Sequence, residues 1–259
     1  MAGYPKVIFK MELFLNDFVM QYYIGCSGFY NKDWKEAFYP KGLPQSKWFE
    51  YYCTRFNTLE LNTTFYRFPT VEMLRKWYDK SPADFKFSVK APRLITHYKQ
   101  LNDCKQFLDD FYSTIQEGLK EKLGPVLFQF PARIAYNEEF LQRITQNINT
   151  SFINIVEFRE AGWWNQHVIN VFSNYNVSFC GISIQNLPDE IMANTSILYY
   201  RFHGFSKLYF SQYSQKEIMD FAMELKKKAI SKTAYIFFNN TATMAAIHNA
   251  FELKNFLGD

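Results

Sequence analysis

The sequence predicts one α/β domain folded as a single (β/α)8 TIM barrel, and three observations carry that expectation. At 259 residues and 48% hydrophobic content, the chain can bury a sizeable core and has the usual size of such a barrel. From residue 22 onward, short apolar runs alternate with longer amphipathic stretches, the pattern of repeated βα units. No Pro/Gly/Ser-rich linker divides the chain, so one barrel over residues 21–259 is preferred to two domains. Residues 1–20 read as an N-terminal extension outside the fold and poorly ordered, with Met11 and Met20 as alternative starts.

Eight strands are expected, at Tyr22–Cys26, Thr58–Asn62, Phe85–Lys90, Val126–Phe130, Ile153–Arg159, Val177–Ser183, Ile197–His203 and Tyr235–Asn239. Most are near-continuous apolar runs, as parallel strands covered on both faces require. Helices are expected near 44–55, 70–80, 103–119, 137–149, 164–175, 214–229 and 242–257. Asn137 before Glu138-Glu139, and Ser214 three residues before Glu217, are N-terminal capping signals. After the sixth strand, around Leu187–Met192, the connection is too short for a full helix. An open doubly wound sheet would normally announce itself by a Gly-rich phosphate loop after the first strand. Here Gly25-Cys26-Ser27-Gly28 lacks the GxGxxG spacing and is followed by bulky Phe29-Tyr30, so barrel closure is preferred and no nucleotide-cofactor motif is present.

Composition narrows the function classes. The net charge of +4 comes from scattered basic residues, which gives weak support for nucleic-acid binding, and Lys226-Lys227-Lys228 reads as a solvated helix face. Cys26, Cys53, Cys104 and Cys180 form no CxxC pair, which argues for reduced thiols in a cytoplasmic protein. Lys6, Lys10, Glu12 and Asp17 interrupt the apolar pieces of the N-terminus, unlike a signal peptide. No apolar run approaches the ~20 residues that span a bilayer. With only four histidines, His167 and His248 among them falling in helices, a multi-zinc centre is not expected and no metal ligands are assigned.

Side chains alternate along a strand, so polar residues of one parity should mark the face that meets the barrel mouth. Glu60 and Asn62 share a face of the second strand; Lys86, Ser88 and Lys90 share one of the third; Glu157 and Arg159, then Arg201 and His203, do so on the fifth and seventh. Gln129 and Asn239 add polar groups near the ends of the fourth and eighth. Six of the eight strands thus finish in a polar or charged group at the end where barrel enzymes build their sites. Unpaired, such charges would cost several kcal/mol each to bury, so they are paired, wet or functional. Lys90, Arg159 and Arg201 outnumber Glu60 and Glu157, and His203 could add a further positive charge, which points to an anionic ligand. His97 in the loop after the third strand, and Trp163 in the loop after the fifth, complete the ligand-binding candidates. Packing is the competing reading for Trp163, and for Tyr66. The competing reading of the charges is structural pairing, such as Glu60 with Lys90 and Glu157 with Arg201.

The same segments resemble a known family. Ile24-Gly25-Cys26-Ser27-Gly28-Phe29-Tyr30 with Trp34 and Phe38-Tyr39-Pro40, Leu59-Glu60-Leu61-Asn62-Thr63-Thr64-Phe65-Tyr66, Phe87-Ser88-Val89-Lys90-Ala91-Pro92, Val156-Glu157-Phe158-Arg159, Tyr200-Arg201-Phe202-His203-Gly204 and Phe238-Asn239-Asn240 look like the motifs of the YecE-like proteins, domain-of-unknown-function family 72. The matches keep their order from about residue 22 to 257, and the resemblance implies a TIM barrel and no particular activity. Two stretches depart from the family pattern: Glu160-Ala161-Gly162 adds a negative charge at the rim, and Phe205 replaces a commonly basic residue.

The expected function is binding of a small anionic or phosphate-bearing ligand by Lys90, Arg159 and Arg201, oriented by Asn62, Gln129 and Asn239. If the protein is an enzyme, a hydrolase or isomerase would use Glu60 or Glu157 as base and His203 as acid. The alternatives are a nucleic-acid-binding or processing protein, whose basic track would continue outside the mouth, and a non-catalytic scaffold whose polar mouth is merely paired.

Overall fold

Nine parallel strands follow one another among the described residues: β1 (Gln21–Cys26), β2 (Thr58–Leu61), β3 (Lys86–Lys90), β4 (Leu123–Gln129), β5 (Asn154–Glu157), β6 (Val177–Phe179), β7 (Gly181–Ser183), β8 (Ile197–Phe202) and β9 (Thr233–Phe238). The computed structural model describes residues 20–228 and 230–258. The expected extension therefore lies outside the described residues except for Met20, which packs against the core, and so does position 229 at the expected end of a helix. Eight α-helices lie among the described residues: α1 (Trp48–Cys53), α2 (Thr63–Tyr66), α3 (Val71–Lys80), α4 (Lys105–Leu119), α5 (Glu138–Asn147), α6 (Gln166–Asn174), α7 (Gln215–Lys226) and α8 (Ala245–Leu257). Together they make the TIM-barrel-like fold that the sequence predicts, with the one-turn α2 as an unforeseen addition.

The ladder runs β6-β5-β4-β3-β2-β1-β9-β8-β7, and the chain itself joins its two ends. The expected sixth strand changes partner in its middle: β6 pairs with β5, β7 pairs with β8, and Cys180 between them donates its N–H to the Val156 carbonyl at 2.8 Å. On the side facing β8, the Ser178 hydroxyl donates to the Ile197 carbonyl at 2.9 Å and so serves a group that the ladder leaves open. A second irregularity sits in β4. Its pairing with β3 steps from Phe87↔Leu123 to Val89↔Val126, so β4 carries an extra residue at Gly124-Pro125. Pro125 has no N–H to give, and a bulge is where a strand interior tolerates it.

Local chemistry fixes the helix starts. Thr70, Asn137 and Asn165 accept from the backbone N–H groups of Met73, Phe140 and Val168, and Ser214 with Glu217 closes the expected capping box. After β7 no helix forms. The chain crosses the outer face of β7 and β8 as an extended strap, where Ile191, Met192 and Ala193 pack on the core. Gly181 permits this close approach, since a Cβ there would lie 2.5 Å from the Glu190 carbonyl oxygen. Asp189 ties the strap down by accepting from the Ser183 hydroxyl at 2.8 Å and from the Tyr200 hydroxyl.

Inside the barrel a separate apolar cluster holds Tyr23, Leu127, Ile155, Ile182, Tyr199, Tyr235 and Phe237. Tyr23 stacks on Tyr235 with ring centroids 4.7 Å apart. Both residues belong to the early part of their strands, so this cluster plugs the amino-terminal end and leaves polar side chains for the carboxyl end. The outer cluster, rich in Phe and Tyr, seals strands against helices. Among the described residues no helix is long and apolar enough to cross a membrane.

Candidate functional site

Glu60, Lys90, Gln129 and Glu157 stand at or near the last residue of β2, β3, β4 and β5, and Arg201 stands one before the end of β8. Asn62, Arg159, His203 and Asn239 lie one or two residues past their strands, which end earlier than the sequence suggests. In-register parallel pairing, such as Gln129 with Glu157 and Glu60 with Ser88, brings these distant residues to one level.

Arg201 is the hub. Its Nη2 reaches Glu60 Oε1 at 2.7 Å and its Nη1 reaches Glu157 Oε2 at 2.6 Å, while all three side chains are essentially inaccessible. Arg159 Nε reaches the other Glu157 oxygen at 2.5 Å, and Arg159 itself is 15% exposed. Glu60 Oε2 accepts from the Tyr199 hydroxyl at 2.6 Å, and Oε1 also takes Asn62 Nδ2 at 3.1 Å. Tyr199 is in turn 2.7 Å from the Ser88 hydroxyl. Burial opposes ionisation of Glu157, but the guanidiniums of Arg159 and Arg201 outweigh it and hold the carboxyl well below its usual range.

His203 is fully buried, and burial, with Arg159 and Arg201 beside it, brings its pKa down to about 3. Arg159 Nη2 lies 3.1 Å from Nε2 and can only donate, so Nε2 accepts and the ring hydrogen is on Nδ1. Asn239, whose amide meets Nδ1 at 2.9 Å, then belongs with its oxygen toward the ring. The extra positive charge expected from His203 is therefore absent at neutral pH, and an imidazolium is not standing ready as an acid.

Lys90 differs from its neighbours. It is 9% exposed, its Nζ donates to Gln129 Oε1 at 3.0 Å, and the Nζ lies 4.2 Å from the Phe65 ring centroid. The sequence allows a Glu60–Lys90 pair, but among the described residues no carboxylate lies within ion-pairing distance of Lys90, and Glu60 is taken by Arg201. Burial and the charge of Arg201 bring the Lys90 pKa down to about 8. With two carboxylates set against two guanidiniums, the net positive charge of the mouth rests on Lys90. His97 sits edge-on to Phe65 at 4.9 Å, bonds Thr96 Oγ1 at 2.9 Å through Nδ1, and is brought down to about 4 by burial and then Lys90.

The structure thus brings together Glu60, Asn62, Lys90, Gln129, Glu157, Arg159, Arg201, His203 and Asn239, with His97 at the edge. Trp163 is elsewhere. It is fully buried in the layer outside the strands, stacked on Phe158 at 3.9 Å, with Nε1 donating to the Ile134 carbonyl. Packing wins there because an indole with its N–H satisfied fills a large apolar space. Arg201, a ligand-contact candidate in the sequence, is essentially buried and paired with both Glu60 and Glu157. Tyr199 and Phe65 were not singled out. Tyr199 shares strand parity with Arg201 and His203, a signal that was present, whereas Phe65 depends on the turn of α2. Among the described residues no group of three or more His, Cys, Asp or Glu side chains is placed to hold a metal ion. A cleft of about 490 Å³, lined by Asp189, Tyr200, Glu217, Asp220 and Glu224, lies on the barrel flank between the strap and α7 and is separate from the mouth.

Fold and site define a TIM-barrel-like protein with a polar, ion-paired mouth at the carboxyl ends of its strands. Residues 23–259 match the family described as "Protein of unknown function DUF72", and the chain belongs to that family. It is similar to the UPF0759 protein YunF of Bacillus subtilis, 24% identical over 91% of this chain and 94% of that protein. The UPF0759 protein YecE of Escherichia coli is 33% identical over 38% of this chain, a match that spans 39% of YecE. Among solved structures, a DUF72 family protein (TM1631) of Thermotoga maritima superposes with a TM-score of 0.82 at 28% identity, covering 92% of this chain and all of that one. A DUF72 family protein (EF0366) of Enterococcus faecalis shares the fold, with a TM-score of 0.75 at 18% identity, covering 92% of this chain and 96% of the other.

Proposed function

We propose that the mouth binds a small anionic ligand, with Lys90 as its main charge contact and Arg159 as the second. The observation that carries this reading is the cation at Lys90, almost fully buried against an aromatic face and without a carboxylate partner among the described residues. An anion entering there is drawn by an unbalanced charge in a low-dielectric setting. Asn62, Gln129, His97 and Asn239 supply neutral polar groups to orient it. Arg201, Glu60 and Glu157 hold the frame, because each already has charged partners and none is accessible. Hydrolase or isomerase chemistry by a Glu base and a His acid fits poorly with a carboxylate so stabilised and an imidazole so hard to protonate. Titration calorimetry with inorganic phosphate and acetate tests the reading. Binding at pH 7 that is lost in Lys90→Met supports it, and undiminished binding in that variant ends it. We place the protein in the cytoplasm, a setting supported by four buried, unpaired cysteines.

A specific feature favours nucleic-acid binding as the second reading. Exposed Tyr66 and Tyr98 both lie within cation–π distance of Arg93, at 5.8 and 5.4 Å, on the rim beside the mouth. Arg133, also exposed, continues the basic edge from the loop after β4. Exposed aromatics interleaved with arginine are what single strands stack upon. Affinity for a short single-stranded oligonucleotide that falls steeply with salt and weakens in Arg93→Ala supports this reading.

A further inference from the structure

A connection between parallel strands of such a barrel normally lays a helix on the outside, and among the described residues the connection after β7 lays none. An extended strap is thinner than a helix, and between it and α7 lies the flank cleft of about 490 Å³. That is the size of a small-molecule site. Its floor is apolar and rigid: Tyr200, Phe202 and Phe221 line it with ring centroids 4.6 to 4.8 Å apart, and Ile191 lines it from the strap.

Charge sets this groove apart from the rest of the molecule. The chain carries +4 overall, yet the carboxylates of Asp189, Glu190, Glu217, Asp220 and Glu224 line the cleft against one ammonium, that of Lys228. Asp189 is taken by the Ser183 and Tyr200 hydroxyls. Glu217, Asp220 and Glu224 each have one oxygen engaged, by the Ser214 cap, Lys216 and Lys227 in turn, and among the described residues the other oxygen has no partner. They stand at i, i+3 and i+7 of α7 and so form one row along the cleft, with about 4.5 Å and then about 6 Å of helix rise between neighbours.

We propose that this cleft binds a linear alkyl polyamine, its ammonium groups on the row of Glu217, Asp220 and Glu224 and its methylenes on the floor of Tyr200, Phe221 and Ile191. Amines separated by three and by four methylenes lie about 5 Å and about 6 Å apart at standard bond lengths, which is close to the step of that row. A metal dication brings charge without methylenes for the floor, and an alkyl chain alone brings methylenes without charge for the row. The groove therefore discriminates against both. It lies on the barrel flank, so the proposal stands independently of the anion site at the mouth.

Titration calorimetry of the whole chain with spermidine at low ionic strength, paired with hydrogen exchange, tests it. One spermidine per chain is expected, with amides of 189–191 and of α7 protected. Asp220→Asn combined with Glu224→Gln should keep the circular dichroism and weaken binding by about tenfold, since an exposed ion pair contributes roughly threefold. Magnesium chloride at equal concentration should leave the spermidine in place. Absent binding, undiminished binding in the double variant, displacement by equal magnesium, or protection confined to other parts of the chain overturns the proposal. So does tighter binding of a trilysine peptide blocked at both ends, which has the same charge and would assign the groove to a protein partner instead.

Discussion

At the scale of single residues, Arg201 shows how a buried charge is justified by its company. It neutralises two carboxylates that have no access to water, and removing it strands both. Arg201→Met is expected to lower stability by about 3–5 kcal/mol in urea unfolding. Arg201→Glu would place a third carboxylate among two and should not fold, so charge reversal there reports on folding rather than on ligand binding. Two acid-sensitive groups sit beside it. His203 binds its proton less readily folded than unfolded, so its contribution is complete above about pH 6.5 and is lost as pH falls toward about 3. Glu157, also lowered on folding, contributes above its ordinary value of 4.5 and fails as pH falls further. Stability should therefore decline from pH 6.5 downward, and His203→Asn, judged by denaturant midpoints at pH 4 and 7, should flatten the upper part of that decline.

At the scale of elements, alternation along the strands was enough to place Glu60, Lys90, Glu157, Arg201 and His203 on one inner face, because a parallel strand presents every second side chain to the axis. Partner choice was not legible. Whether Glu60 meets Lys90 or Arg201 depends on stagger between strands far apart in sequence, and an inward-pointing arginine is long enough to reach across the mouth. Trp163 was ambiguous for a related reason: a loop aromatic reveals its direction only once Phe158 and Ile134 are placed. The caps were legible because their chemistry is local. Asn137→Ala and Ser214→Ala should each cost about 1 kcal/mol, measurable as small shifts of the unfolding midpoint. Gly181→Val tests the strap, since its side chain would strike the Glu190 carbonyl and the Tyr200 ring. Faster proteolysis within 184–196 is the expected outcome.

At the scale of the whole molecule, the apolar strand runs between amphipathic stretches, with no Gly-rich phosphate loop after the first strand, made the closed barrel legible, while the seam in it was not, because the split at Cys180 leaves no mark in the pattern of apolar residues. That seam holds β6 and β7 by one ladder each, whereas β3, β4, β8 and β9 are paired on both sides. Hydrogen exchange should accordingly find amides of 177–183 opening before those of β3 and β4. The stacked tyrosines at the opposite end have another consequence. Tyr23 and Tyr235 stopper the floor of the barrel, so a ligand of the proposed anion site would have to come and go on the opposite side. On that proposal arrival and departure would compete for one doorway, with Phe65, His97 and Arg159 as its doorposts.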